Sequence, residues 1–283
     1  VKRLIAVCLL SLAACNPQPE GKPVTVIEFG EDGQTKLRDG ADVAQASEPA
    51  EAPVATSSAC ESVEFDGSKL THCVADPAKN RIVMVLGPAD GAPYRSFASL
   101  AAGRGKDAPP VAFAMNAGMY DGEGKPIGYY VENGERLQEL NRNDGPGNFH
   151  MKPNGVFFGT NGKWQIRTAD DFYANVADRP AFGTQSGPML VIDGKLHPEI
   201  AEDGNSTRVR NGVGLDRQGR AHFVISSEPL SFGRLARYFR DELKTPNALY
   251  LDGSVSSLWD PAGGRMDQGY PLGPLVVVEE KAN

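Results

Sequence analysis

From about residue 110 to the C-terminus the chain alternates short apolar runs with glycine-containing polar breaks. Val111-Ala-Phe-Ala-Met115, Gly155-Val-Phe-Phe158, Pro188-Met-Leu-Val-Ile192, Ala221-His-Phe-Val-Ile-Ser226 and Ala248-Leu-Tyr-Leu251 have the length of buried strands and are too short for packed helices. The breaks read as hairpin turns. Asn133-Gly134 is a two-residue signal, because both central positions of such a turn need positive φ. Gly159-Thr-Asn-Gly162, Asp193-Gly194 and Arg217-Gln-Gly219 separate further pairs of runs. Helical periodicity is rarer. The best case starts at Ser231, a candidate N-cap, and places Phe232, Leu235, Ala236, Phe239 and Leu243 on one stripe before Pro246 stops it. Tyr94 to Ala102 and Ala169 to Val176 are weaker candidates. No fixed-period repeat is present, which disfavours propellers and solenoids. The pattern predicts one α+β globular domain with a mixed β-sheet, its hairpins followed near the C-terminus by a β-α-β unit.

That last unit locates candidate chemistry. If strand 221–226, helix 231–243 and strand 248–251 form a β-α-β unit, both strands end at one edge of the sheet. Ser226-Ser227-Glu228 and Asp252-Gly253-Ser254 then face one region, and the start of strand 213–216, with Arg208, Arg210 and Asn211, lies there too. Each has a plainer reading. Asp252-Gly253 is ordinary turn chemistry, and Glu228 before Pro229 reads equally as a solvated loop acid. Arg208 and Arg210 alternate with Thr207 and Val209, as on the exposed face of an edge strand. Asn116, Asn154, Gln185 and Ser186 stand at other strand junctions beside glycines, where polar side chains suit sugar hydroxyls or phosphate oxygens or else simply make turns.

The N-terminus differs in kind. Lys2-Arg3, the apolar Leu4 to Leu12 and Leu12-Ala-Ala-Cys15 match a bacterial lipoprotein signal over residues 1–15, with Cys15 as the lipidated residue. Residues 16–58, with five prolines and an Ala/Glu/Ser-rich run, predict a flexible tether to a domain spanning 59–283. These features imply a bacterial periplasmic protein, lipid-anchored at the outer membrane and touching the membrane only through that anchor. Of four cysteines, Cys8 leaves with the signal and Cys15 carries lipid. Cys60 and Cys73 remain to form a disulfide across 13 positions, worth roughly 3 kcal/mol by loop closure.

Composition narrows the classes. The 283 residues carry a formal charge of -7, with 40% hydrophobic and 23% charged residues, which fits a soluble core and argues against nucleic-acid partners. His72, His150, His197 and His222 lack ligand spacing, so no metal and no cofactor is expected. Neither a Gly-x-Ser-x-Gly elbow nor a phosphate-binding P-loop occurs.

Taken in order, Asn116-Ala-Gly-Met119, Lys152-Pro-Asn-Gly-Val156, Gln185-Ser-Gly-Pro188, Arg210-Asn-Gly-Val-Gly214 and Leu251-Asp-Gly-Ser-Val-Ser256 resemble the phosphodiester glycosidase family, the uncovering-enzyme-like hydrolases. The resemblance covers about 110 to 280. It implies cleavage of a sugar from a phosphodiester at its anomeric carbon, with a carbohydrate phosphodiester as substrate. It also implies site positions at Asn116, Asn154, Gln185, Ser186, Arg210, Asp252 and Ser256. Arg208, Asn211, Gly253 and Ser254 join them as substrate-binding candidates by position. Asp252 is the first choice for base or nucleophile and Glu228 the second, while Arg210 offers charge stabilisation. One departure stands out: the uncovering enzymes read Asp-Gly-Gly-Gly-Ser where this chain has Asp252-Gly253-Ser254-Val255-Ser256. A non-catalytic envelope lipoprotein binding a glycan or phosphoglycan is the alternative that the same polar strand ends allow.

Overall fold

The computed structural model describes residues 57–282 other than Asp90, together with the backbone of strands Thr25–Phe29 and Thr35–Asp39. Those two strands pair as an antiparallel hairpin within the stretch read as a tether. The lipoprotein signal, Cys15 and the rest of that stretch up to residue 56 lie outside the described residues.

The domain is mostly β. A seven-stranded sheet runs, edge to edge, through Lys195–Leu196, Met189–Ile192, Asn247–Tyr250, Asn211–Leu215, Ala221–Ser226, Ser68–Ala75 and Cys60–Phe65. Two five-stranded sheets complete the core. One is centred on Phe182–Ser186 beside Gly155–Thr160, the other on Val111–Asn116 beside Leu275–Glu280. The turns have the backbone their dipeptides predict, with Asn133, Asn161 and Asp193 at φ of 51°, 50° and 48°. Asp66, at φ 48°, turns a further hairpin, across which Cys60 and Cys73 face each other as a disulfide.

Two expectations need correction. The sheets are not mixed: every strand pairing among the described residues is antiparallel. Helix is also sparser than an α+β label implies, the α-helices among the described residues being Phe97–Gly103, Ala169–Asn175 and Phe232–Arg237. The cause of the first lies in strand 211–215. It pairs antiparallel with strand 221–226 on one side and with strand 247–250 on the other, so it separates the two strands that the helix connects. The helix passes over it. Strands 221–226 and 247–250 therefore point the same way without pairing, and both end beside the start of strand 211–215. Ser226 N donates to Arg210 O at 2.8 Å, and Leu251 N donates to Asn211 O at 3.2 Å.

The sheets meet around Phe223, which is fully buried. Its ring packs edge-on against Phe113 at 5.3 Å and Phe157 at 5.9 Å, and Phe157 continues to Phe182 at 5.3 Å, so one aromatic chain joins all three sheets. Removing such a ring costs about 3–5 kcal/mol in comparable cores. The helix at 232 is capped by Ser231 Oγ, which accepts from Arg234 N at 3.2 Å. It widens into a π-turn over Tyr238–Glu242 and buries Leu235, Ala236 and Phe239 against the seven-stranded sheet. Phe232 packs at the margin of the same cluster, partly buried. It also stacks on Arg210, with the guanidinium carbon 3.5 Å from its ring centroid.

Candidate active site

The sheet junction that Phe223 fixes has a polar edge. Asn116 ends strand 111–116, Asn211 begins strand 211–215, and Asp252 follows strand 247–250, each from a different part of the chain. Their amides interlock. Asn211 Nδ2 donates to Asn116 Oδ1 at 2.9 Å, and Ser257 N donates to the same oxygen at 2.9 Å. Asn116 Nδ2 donates to Asp252 O at 2.7 Å, while Asp252 N donates to Ala117 O at 3.2 Å. Ser256 Oγ lies 3.3 Å from Asn211 Oδ1 and 3.1 Å from Gly253 O, with one hydroxyl hydrogen to place between them. Asn116 and Asn211 are buried at 1% and 0% exposure, so these bonds form in low dielectric and hold the 252–257 turn rigidly.

Asp252 caps the turn that follows it, its Oδ1 accepting from Ser254 N at 3.2 Å. No ion pair with a described arginine, lysine or histidine balances it. Burial raises its carboxyl above the ordinary value of 3.8, against the opposing pull of the Ser254 N–H. A carboxylate so held is more basic than a surface aspartate. Gly253 is dictated by space, since a Cβ there would sit 1.8 Å from Tyr250 Oη.

Two tyrosines flank Asp252. Burial first, then the Asp252 charge, pushes Tyr120 up to about 12, and its hydroxyl donates to Pro271 O at 2.6 Å. Tyr250 is raised by burial, and its hydroxyl accepts from Arg210 Nη1 at 3.2 Å. Neither tyrosine was legible as a site residue: Tyr250 reads as part of an apolar strand, and Tyr120 as part of a turn. Their positions, two before Asp252 and four after Asn116, are the signal that was there to use.

Arg210 differs from its sequence reading. It is 1% exposed, with Nε donating to Leu230 O at 2.7 Å and Nη2 to Ser206 O at 2.9 Å. It is therefore not an exposed edge-strand residue, and it presents no open fork to phosphate. Its charge, which burial makes easier to lose than usual, reaches the site through Tyr250. Arg208 is the exposed one of the pair, in the two-residue strand Thr207–Arg208, with Nη1 donating to its neighbour's carbonyl at 2.8 Å. Glu228 is exposed, and its Oε1 accepts from Lys69 N at 3.3 Å. Lys69 belongs to strand 68–75, on the far side of strand 221–226 from strand 211–215, so Glu228 leans away from the Asp252 cluster.

The remaining candidates form a supporting layer. Gly118 N donates to Thr184 Oγ1 at 3.1 Å, and a Cβ at Gly118 would lie 2.2 Å from Gln185 O, which presses the loop after Asn116 onto strand 182–186. Gln185 is buried and spends its amide on the fold: Oε1 accepts from Tyr129 N and Asn141 N, both at 2.9 Å, and Nε2 donates to Asn141 O at 2.7 Å. Asn154 Nδ2 donates to Phe149 O at 2.8 Å. Ser186 is fully buried, and its Oγ has no hydrogen-bond partner among the described residues. Pro188 O accepts from Tyr250 N at 3.1 Å and ties this layer to the strand that carries Asp252. Volume alone points elsewhere. A concavity of about 1230 Å³ is lined by Val111, Ala112 and Arg220, at the opposite ends of strands 111–116 and 221–226 from this cluster.

Known proteins share this framework. The chain is 34% identical over 206 residues to the uncharacterised protein YigE of Escherichia coli (strain K12), covering 73% of this chain and 80% of that one. Its fold is similar to the zebrafish N-acetylglucosamine-1-phosphodiester alpha-N-acetylglucosaminidase catalytic domain auto-inhibited by its pro-peptide, with TM-score 0.53, 12% identity, and coverage of 93% and 86%. A hypothetical protein from Synechocystis is similar at TM-score 0.51 and 15% identity, covering 78% of this chain and 61% of that one. The family model for phosphodiester glycosidases matches residues 110–269, the span that carries Asn116, Asn211 and Asp252. The chain belongs to the phosphodiester glycosidase family.

Proposed function

We propose that the protein hydrolyses the glycosyl bond of a sugar 1-phosphodiester, releasing the free sugar and a phosphomonoester, in the bacterial cell envelope. The observation that carries this reading is Asp252: a half-buried carboxylate without a cationic partner among the described residues, its basicity raised by desolvation, at the rigid junction of three strand ends. Ordinary glycosides need a second carboxyl group to protonate the leaving oxygen. No second carboxylate hydrogen-bonds into this cluster among the described residues, and Glu228 is bonded to Lys69 instead. A phosphodiester suits a site with one carboxylate, because its leaving group departs as an already acidic phosphate and needs no proton.

Asp252 either activates water against the anomeric carbon or attacks that carbon itself. In the first case one proton passes from water to Asp252 as the C–O bond to phosphate breaks, and the phosphate oxygen keeps the electron pair. Asn116 and Asn211 act through the backbone they hold, fixing Asp252 within the tolerance that such chemistry demands. Arg210 positions Tyr250 and supplies positive potential beneath the site. Attachment to the envelope through lipid on Cys15 belongs to the same reading, and intact mass of membrane-extracted protein checks it.

A panel of sugar 1-phosphodiesters, with α-N-acetylglucosamine 1-(methyl phosphate) among them, tests the activity when sugar and methyl phosphate are followed separately. Stoichiometric release of both is expected. Binding of the panel without turnover would instead support the glycan-binding alternative.

A further inference from the structure

Arg95 lies before the region that the family model matches and is a sequence position with no motif around it. Three features single it out. It is a non-glycine residue in the left-handed region, at φ 61°, although nothing in a Tyr94-Arg95-Ser96 stretch calls for such a turn. Its carbonyl accepts from Leu272 N at 2.8 Å, which locks the strained backbone against the 269–273 loop. Its Nη1 is buried with no hydrogen-bond partner, and no described carboxylate forms an ion pair with it. Arg237 and Arg265, by contrast, are paired with Asp66 and Asp267, while Arg208 and Arg210, which also lack a described carboxylate partner, donate to backbone carbonyls.

The guanidinium also has a definite place. It lies over the Tyr120 ring, 5.5 Å from its centroid, and packs on the bare Cα face of Gly124. Tyr120 in turn feels the Asp252 charge, and it follows by three residues Ala117, whose carbonyl holds Asp252 N. Arg95 is thus a cation without a described anion, seated on the tyrosine that ends the Asn116–Tyr120 loop, whose Ala117 carbonyl holds Asp252 N. Nη1 is enclosed against Gly124, so the groups left for a phosphate are Nε and Nη2, which bond to no described residue, whereas Arg210, the arginine suggested by sequence, has its fork directed to protein acceptors.

We propose that Arg95 is the phosphate-binding residue of the site, gripping the phosphodiester group of the substrate while Asp252 acts at the anomeric carbon. This rests on the hydrolase reading above and adds the subsite that holds the leaving group. Held there by Tyr120 and the 269–273 loop, Arg95 would neutralise the phosphate as it gains charge, which favours both binding and departure.

The test compares wild type with Arg95→Gln and Arg95→Lys on two substrates of one sugar: the 1-(methyl phosphate) diester and the p-nitrophenyl glycoside, which has no phosphate. For Arg95→Gln, kcat/KM on the diester should fall about 10- to 100-fold, the loss expected for a charge-assisted hydrogen bond. Kinetics on the p-nitrophenyl glycoside should stay within about twofold, and Arg95→Lys should recover part of the loss. Melting curves check that both variants fold. Calorimetry with methyl phosphate and inorganic phosphate runs in parallel and needs no turnover. Binding to wild type that weakens about tenfold or more in Arg95→Gln supports the subsite even if no diester is hydrolysed, in which case the hydrolase reading alone fails. The proposal is overturned if Arg95→Gln slows both substrates equally, if it slows neither, or if wild type binds neither phosphate.

Discussion

Replacing Asp252 by Asn separates chemistry from architecture, because the amide keeps what the fold uses and loses what the reaction uses. Asp252 Oδ1 accepts from Ser254 N at 3.2 Å, and its backbone oxygen accepts from Asn116 Nδ2 at 2.7 Å; both bonds survive in the variant. The negative charge and the basicity do not. General-base work contributes about 10²–10⁴-fold, equivalent to roughly 3–5 kcal/mol of barrier, and nucleophilic work at least as much. Turnover of a sugar 1-phosphodiester should fall by that factor. Stability should move the other way. Burial raises the folded-state pKa of Asp252 above its unfolded value, so its contribution to stability is present at low pH and lost as pH rises through the folded pKa. Above the folded pKa the ionised side chain therefore opposes folding, and there the Asn variant should melt higher than wild type, with the gap closing on acidification. Asp252→Ala is the control. It loses the cap as well, at about 1 kcal/mol, and should melt below the Asn variant. Steady-state kinetics and melting curves at several pH values read both axes. Wild-type kcat in Asp252→Asn, or a lower melting temperature above the folded pKa, would refute the assignment of a charged, catalytic Asp252.

Other consequences are separable from that one. Asn116→Ala leaves Asn211 Nδ2, Ser257 N and Asp252 O without their partner, and should destabilise by about 3 kcal/mol in chemical denaturation while also lowering kcat. Glu228→Gln keeps an acceptor for Lys69 N and should leave kcat within about twofold and stability within about 0.5 kcal/mol; a large loss of kcat would restore Glu228 as a catalytic group. The pH profile of kcat/KM should show an acidic limb that lies above the ordinary carboxylate value of 3.8, because Asp252 must be ionised to act and burial raises its pKa. An acidic limb below that value would remove the link between burial and basicity.

How far the sequence discloses this site depends on whether local chemistry decides the structure. Asn133-Gly134 and Asp193-Gly194 fold as their dipeptides require, since positive φ is a local demand. The meeting of Asn211 with Asp252 at one sheet edge was legible from strand order and turn lengths. The burial of Arg210 was not, because the alternation Thr207-Arg208-Val209-Arg210 reads as an exposed strand face. Only the arrival of Phe232 and Tyr250 from distant segments encloses the guanidinium. Glu228 shows the same limit. It stands at the predicted edge, yet its direction is set by a bond to Lys69, 159 residues away in the chain. Arg95 carries no local signal at all: its place over Tyr120 is a product of tertiary packing.

The central claim is cleavage at the sugar carbon and not at phosphorus, and hydrolysis in ¹⁸O-water tests it most directly. With α-N-acetylglucosamine 1-(methyl phosphate) as substrate, mass spectrometry of the products under conditions that suppress exchange at the anomeric hydroxyl locates the label. Breaking the glycosyl bond puts ¹⁸O in the sugar and leaves methyl phosphate unlabelled. Label in methyl phosphate would show attack at phosphorus, and the protein would be a phosphodiesterase whose Asp252 serves some other step.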